Sequence, residues 1–156
     1  MNIKFDNYKY NGAWYGKEEV EFNGQQAVID IQIDGYDDVV IPRKSQNALL
    51  NFLDTLNDKT YIIAEAVFKY YQERREELGY SDEMNIDYPE IREATSILDM
   101  LTLIGITIPD QDGYTEEAVS LVFNCTWDKE NGVGICFVGQ NIEEVGFQDI
   151  ALWYLC

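Results

Sequence analysis

Apolar and polar residues alternate with a period of two in the first part of the chain. The run Gln25–Ile33 places Ile29, Ile31 and Ile33 on one face and polar residues between them. This alternation is typical of a half-buried β-strand. Asn-Gly at 23–24 joins the run to Trp14–Phe22, and this dipeptide is the strongest short hairpin signal. The sequence therefore predicts a β-hairpin here and a further short strand at 39–41.

The period changes to that of a helix in the middle of the chain. Leu49, Phe52, Leu53 and Leu56 follow the i, i+3, i+4, i+7 spacing, which predicts a helix starting near Ser45. A second helix is predicted over 60–78, with its buried stripe at Ile63, Ala66, Val67 and Tyr70. A third is predicted around the common face of Ala94, Ile97, Leu98 and Leu101. The apolar segment 103–108 fits either a short strand or the end of that helix.

Strand patterns return in the last third, at 118–127, 132–138, 142–147 and 150–154. The order of strands, helices and strands predicts an α+β fold. We expect an antiparallel sheet, made of the N-terminal hairpin and the C-terminal strands, covered on one face by two or three helices. A length of 156 residues fits one domain over 1–156.

The sequence contains no histidine in its 156 residues. It has 29 acidic and 11 basic side chains, which give a net charge of −18. Without histidine, the Ser–His–Asp and Cys–His nucleophilic sites and the histidine zinc sites are excluded in their standard forms. We expect no enzyme activity, no cofactor and no metal. The aromatic content of 13% is too high for a disordered acidic tail.

The acidic charge is concentrated toward the C-terminus. Residues 1–79 carry 9 basic and 14 acidic side chains, a net charge of −5; residues 80–156 carry 2 and 15, a net charge of −13. Such a field repels nucleic acid and anionic lipid and attracts a basic protein. No membrane-spanning stretch and no secretory signal is visible. Three cysteines, an odd set without CxxC spacing, fit reduced thiols in a cytoplasm.

The C-terminal part resembles a known family. The residues concerned are the run from Leu121 to Asp128 (LVFNCTWD), Glu130, Gly132 and Gly134, and the run from Val145 to Leu152 (VGFQDIAL). They resemble a family of small acidic bacterial domains of unknown function. Its members resemble, or are encoded among, immunity proteins of contact-dependent and polymorphic toxin systems. The resemblance matches the family's recurring positions to Trp127, Asp128, Gly132, Gly134, Gly146 and Asp149, and implies no catalytic residue.

Several acidic segments are candidates for partner binding. Asp34, Asp37 and Asp38 surround Gly35-Tyr36, which is the composition of a contact site for Arg or Lys with an aromatic anchor. A solvated hairpin loop explains the same residues, and both interpretations stay open. Further candidates are Asp110, Asp112, Glu116 and Glu130. The segment 110–117 is similar to a calcium loop, but its glycine falls at position 4 instead of 6, which favours a solvated turn.

The residues of the C-terminal hairpin favour structural roles. Trp127 is expected to pack in the core, and Gly132 and Gly134 are expected to allow tight turns or close backbone contacts. Asp149 is expected to bond nearby backbone rather than to act as a buried functional acid. Cys125 and Cys136 are predicted to lie opposite each other on adjacent strands. Two buried thiols are expected there; the alternative, a cross-strand disulfide, is not expected in a cytoplasm.

Three functions remain open at the level of sequence. The favoured one is a cytoplasmic immunity protein that occludes the active site of a cationic toxin, such as a nuclease, with an acidic surface. A nucleic-acid mimic or regulatory adaptor would use the same acids. A hydrolase working through two carboxylates is the third, and it has no support beyond the abundance of acidic residues. The oligomeric state is left open.

Overall fold

The structure is a computed structural model, and it describes residues 2–80 and 86–152. The strands are β1 (Lys9–Tyr10), β2 (Trp14–Phe22), β3 (Gln25–Ile33), β4 (Leu101–Ile108), β5 (Ala118–Cys125), β6 (Val133–Val138) and β7 (Asn141–Gly146). The α-helices are α1 (Arg43–Thr55), α2 (Thr60–Glu77) and the short α3 (Asp149–Leu152). Short 3-10 helices occur at Phe5–Asn7, Leu56–Lys59, Ala94–Met100 and Gln111–Gly113.

The described strands form one sheet in sequence order, β1 to β7. All neighbours are antiparallel except β3 and β4, which run parallel. The connection between these two strands carries α1, α2 and the 3-10 helix Ala94–Met100, because parallel neighbours need a long crossover. The predicted α+β fold is confirmed, and the parallel pair was not part of the prediction.

A row of branched side chains across the sheet forms the centre of the core. Ile31 is paired with Ile106, Ile106 with Leu121, and Leu121 with Ile135, and each of the four is at most 1% exposed. The phenyl ring of Phe52 on α1 meets that of Phe137 on β6 at 5.2 Å, edge to face. The helices therefore cover this face, as predicted.

The N-terminal hairpin has the predicted boundaries. Asn23 and Gly24 both have positive φ, 52° and 77°, which is the backbone of the two-residue turn that Asn-Gly favours. The buried stripe of α2 is shifted from the predicted one: Ile63, Val67 and Tyr71 are buried at spacings of four, while Ala66 and Tyr70 are only half-buried.

Three predicted elements are wrong. The segment 39–41 is a loop, because the Asp37 carboxylate accepts the N–H groups of Val39 and Val40 and turns the chain. The third helix is only the 3-10 turn Ala94–Met100, because the chain extends into β4 at Leu101. The segment that begins at Ile150 is helical within the described residues, since the Ala151 N–H donates to the Gln148 carbonyl. Tyr154, the end of that predicted strand, lies outside the described residues.

Candidate functional site

Two acidic loops meet at one end of the sheet. The loop 34–42 follows β3 and the loop 109–117 follows β4, and these strands are parallel neighbours. Parallel strands end at the same edge, and the Asp34 N–H donates to the Ile108 carbonyl at 2.8 Å. We call these two loops the acidic end. They hold seven carboxylates, on Asp34, Asp37, Asp38, Asp110, Asp112, Glu116 and Glu117.

Most of the predicted contact residues lie together at this end. Asp34, Tyr36 and Asp110 come from both loops, and the charges of Asp110 and Asp34 raise the pKa of the Tyr36 phenol. A hydrogen bond to Asp110 adds to the same shift. Glu130 is the exception. It lies in the β5–β6 turn at the other end, because β5 runs antiparallel to β4 and carries the chain away.

The loop 34–42 exposes apolar side chains between its carboxylates. Tyr36 is 84% exposed, Val39 is 83% exposed and Val40 is 59% exposed. A cluster of exposed apolar groups with a charged rim is the usual composition of a protein-binding surface. The valines escaped the sequence prediction because the segment was assigned to a strand.

A buried amide fixes the loop 109–117. Gln111 is 6% exposed, and its Nε2 donates to the carbonyls of Pro109 (2.7 Å) and Ala118 (2.9 Å). Its Oε1 accepts the N–H of Ala118 at 2.8 Å. The Asp110 carboxylate accepts the N–H of Asp112 and so begins the short 3-10 helix. The segment that is similar to a calcium loop is thus a turn built by hydrogen bonds within the chain.

Helix α1 borders the acidic end and brings the few basic groups there. The Lys44 ammonium pairs with Asp112 at 3.3 Å, and both side chains are at least 75% exposed. The Asn51 amide donates to both carboxylate oxygens of Glu117, at 3.0 and 3.1 Å. Between α1 and the turn 139–141 lies a cleft of about 610 Å³ lined by Asn51, Glu116 and Glu117.

Lys59 also lines this cleft and is only 4% exposed. Its ammonium donates to the hydroxyl and the main-chain carbonyl of Thr55 and lies 4.8 Å from the centre of the Phe52 ring. Burial lowers the pKa of Lys59, and the nearby Asp58 partly offsets this. A cation at the last turn of a helix interacts favourably with the free carbonyls there. These contacts explain the buried charge as a structural feature of α1.

The opposite end of the sheet, which we call the aromatic end, also has aromatic and acidic residues, but here they contact other parts of the fold. Trp127 is 5% exposed and meets the Tyr71 ring edge to face at 4.9 Å, and Tyr71 stacks on Tyr88. The Asp128 carboxylate accepts the N–H and the side-chain amide of Asn131. Trp127 therefore packs against α2, and Asp128 holds the β5–β6 turn.

The glycines of the C-terminal hairpin make room for the chain around α3. A Cβ on Gly132, whose φ is +58°, would lie 2.5 Å from the Phe123 carbonyl, and one on Gly134 would lie 2.6 Å from the Phe147 carbonyl. A Cβ on Gly146 would meet Ile150 at 3.3 Å. Asp149 is exposed in the first turn of α3. The three glycines serve close packing, and neither they nor Asp149 line the cleft described above.

The cysteines do not form the predicted pair. Cys125 lies opposite Leu101, and Cys136 lies opposite Ser120. Cys125 is a free, buried thiol whose pKa is raised to about 11 by burial. Cys136 is disulfide-bonded, so the prediction of a second thiol is wrong for it. Cys156, the third cysteine, lies outside the described residues.

A larger cleft of about 850 Å³ lies on the sheet face opposite to α1 and α2, with walls from Tyr15, Gly105, Val122 and Leu152. None of the residues predicted as sites lines it. In the described part of the chain, no group of three or more His, Cys, Asp or Glu side chains could hold a metal ion. None of the helices in residues 2–80 and 86–152 has the length and apolar character needed to cross a membrane.

Residues 4–152 match a protein family that is described as a domain of unknown function (DUF6985). The chain belongs to this family. No curated protein sequence and no solved structure matches it. The family description names no partner or activity, so the link to immunity proteins remains a hypothesis that rests on the residues and the surface described above.

Proposed function

We propose that this protein binds a basic partner protein through its acidic end and neutralises it, as an immunity protein neutralises a cationic toxin domain. The observation that supports this proposal most strongly is the meeting of the two loops. They combine seven carboxylates with the exposed side chains of Tyr36, Val39 and Val40. A charged rim around exposed apolar groups suits recognition of a protein better than recognition of a small ion.

The charge distribution supports a basic partner. The first turn of α1 adds only Arg43 and Lys44 to the seven carboxylates of the acidic end, so the local charge stays strongly negative. A field of this kind raises association rates with an oppositely charged protein by about 10- to 1000-fold at low salt. Once bound, the protein would block a basic active cleft, such as that of a nuclease, by occupying it. The proposal needs no chemical step by this chain.

The proposal places the protein in the cytoplasm, where the toxin would act. The disulfide at Cys136 counts against a strongly reducing compartment. A count of free thiols decides between a reducing cytoplasm and an oxidising compartment. The protein is purified from its native cells, and its thiols are alkylated at lysis so that they cannot oxidise afterwards. Two or more free thiols per chain support the cytoplasm, and a single free thiol contradicts it.

A capture experiment with matched variants tests the proposal. The test variant carries Asp34→Asn, Asp110→Asn and Asp112→Asn. The control carries Glu19→Gln, Glu21→Gln and Glu130→Gln, which are exposed residues away from the acidic end. Each variant changes the net charge by the same amount. We expect a basic protein from the native lysate to be captured by the wild type and the control and lost from the test variant.

The outcome also separates the nucleic-acid mimic from the immunity protein. A single basic partner whose toxicity is relieved by co-expression of this chain supports neutralisation. Capture of several unrelated nucleic-acid-binding proteins would favour mimicry instead. Equal capture by all three proteins would contradict a site at the acidic end.

A further inference from the structure

The cleft of about 850 Å³ on the sheet face opposite to α1 and α2 is called the far-face cleft below. Gly105 forms part of its floor. It pairs in register with Asp30 on β3 and with Val122 on β5, and it places no side chain between them. Tyr15 on β2 and Leu152 on α3 line the two sides, and both are partly exposed. The volume lies in the range of about 300–1,000 Å³ that is usual for small-molecule sites.

Thr107 brings a hydroxyl without a partner to this cleft. Its neighbours Ile106 and Ile108 are buried in the core. Because side chains alternate along a strand, Thr107 points to the other face, where it lines the far-face cleft. The residue is only 1% exposed, and its hydroxyl forms no hydrogen bond with the described residues. Buried polar groups nearly always have a partner, so the partner of this hydroxyl belongs in the cleft.

The charges around the far-face cleft favour an anion. Its described lining contains two ammonium groups, on Lys9 and Lys17, and one carboxylate, on Asp30. Lys17 and Asp30 pair with each other at 2.5 Å, which leaves the charge of Lys9 uncompensated. Lys9 pairs in register with Tyr15, so the two side chains lie on the same face. This excess of positive charge is opposite in sign to the net charge of −18 of the chain.

We propose that the far-face cleft binds a small amphipathic carboxylic acid, such as a medium-chain fatty acid. Its apolar body lies over Gly105, between Tyr15 and Leu152. Its carboxylate accepts a hydrogen bond from the Thr107 hydroxyl, and Lys9 supplies positive charge at the rim. A hydrogen bond to an ionised acceptor is roughly twice as strong as one between neutral groups. This site is separate from the acidic end and does not depend on the proposed function.

A nuclear magnetic resonance titration of the full chain tests the proposal. The probes are decanoate and decyltrimethylammonium, used below their micelle concentrations. They share the apolar chain and have opposite charges. We expect decanoate to shift the amide signals of Gly105, Thr107 and Val122 and to bind more tightly than the cation. Non-specific binding would give the opposite order, because a strongly negative protein attracts the cation.

Thr107→Val is the decisive variant, since it keeps the shape of the side chain and removes only the hydroxyl. We expect it to weaken decanoate binding about tenfold, which corresponds to one hydrogen bond to a charged group. Urea unfolding should show no loss of stability, because the hydroxyl has no partner in the fold. Thr102→Val is the matched control: this threonine is exposed on the same strand and outside the cleft, so binding should be unchanged.

A second pair of variants tests the charge. Lys9→Gln should weaken decanoate binding roughly two- to fivefold, as expected for an exposed ion pair. The exposed Lys4→Gln, outside the cleft, removes the same charge and should have no effect. Absence of decanoate binding, tighter binding of the cation, or equal binding by the Thr107→Val and Thr102→Val variants would overturn the proposal. A marked loss of stability in Thr107→Val would do so too, because the hydroxyl would then serve the fold.

Discussion

The two ends of the sheet contain the same kinds of residue and use them in opposite ways. At the aromatic end, Trp127 is buried against Tyr71, and Asp128 holds the β5–β6 turn. At the acidic end, Tyr36 is exposed and Asp38 points to solvent. The fold accounts for the first set through packing and hydrogen bonds, whereas the second set contributes little to it. The acidic end therefore includes exposed side chains that the fold does not need, and we propose that these side chains serve a partner.

Truncation of one aromatic side chain at each end should give the largest contrast. Trp127→Ala removes a side chain that is 5% exposed, and we expect it to lower the free energy of unfolding by about 3–5 kcal/mol. Tyr36→Ala should change it by less than about 0.5 kcal/mol, as is usual for surface positions. Urea unfolding followed by circular dichroism measures both. Similar losses in the two variants would show that the ends do not differ in this way.

The second expected effect concerns the amide that fixes the loop 109–117. Gln111→Met keeps the length of the side chain but leaves the N–H and C=O of Ala118 without their partner. We expect a loss of about 2–3 kcal/mol together with weaker partner binding, because the acidic loop loses its anchor. The exposed Gln26→Met is the control and should change neither quantity. A stable variant with normal binding would mean that Gln111 does not position the loop.

Truncation of one aspartate at each end should give a smaller difference in the free energy of unfolding. Asp128→Ala removes the acceptor for the Asn131 N–H and amide, and we expect it to cost about 1–2 kcal/mol. Asp38→Ala removes an exposed carboxylate at the acidic end and should be neutral within about 0.5 kcal/mol. Thermal melting at pH 7 compares them. A larger loss for Asp38→Ala would assign a structural role to the acidic loop.

The smallest effect should appear at alkaline pH. Burial raises the pKa of Cys125 to about 11 and those of Tyr70 and Tyr71 to about 12. In the unfolded chain these groups lose their protons at lower pH, so the free energy of unfolding should fall as the pH rises above about 9. The loss should be on the order of 1 kcal/mol by pH 10. Denaturant titrations from pH 8 to 10.5 measure it, and Cys125→Ala should make the decline shallower. A flat profile would contradict burial of these groups.

The elements with local signals were predictable from the sequence. The Asn-Gly turn sets the hairpin of β2 and β3 through backbone conformation alone. The apolar spacing around Leu49 and Phe52 predicts α1, which begins at Arg43, two residues before the predicted start at Ser45. The parallel pairing of β3 with β4 depends on how a crossover of two helices packs, and no short pattern encodes that. The loop at 39–41 was mistaken for a strand because Val39, Val40 and Ile41 are branched and apolar, while the turn is made by one side chain, that of Asp37.

The candidate site was predictable only in parts. Composition identified the acidic segments around Tyr36 and around Asp112, which are more than 70 residues apart in the chain. Their meeting follows from the parallel strands, so the sequence could not separate them from Glu130 at the other end.

The rate of association with the captured basic partner tests the acidic end most directly. It should be measured at several salt concentrations for the wild type, for the variant with Asp34→Asn, Asp110→Asn and Asp112→Asn, and for the control with Glu19→Gln, Glu21→Gln and Glu130→Gln. We expect the rate to fall by about tenfold or more in the first variant, with a weaker dependence on salt, and to stay near the wild-type value in the control. Equal rates for the two variants would contradict a binding site at the acidic end.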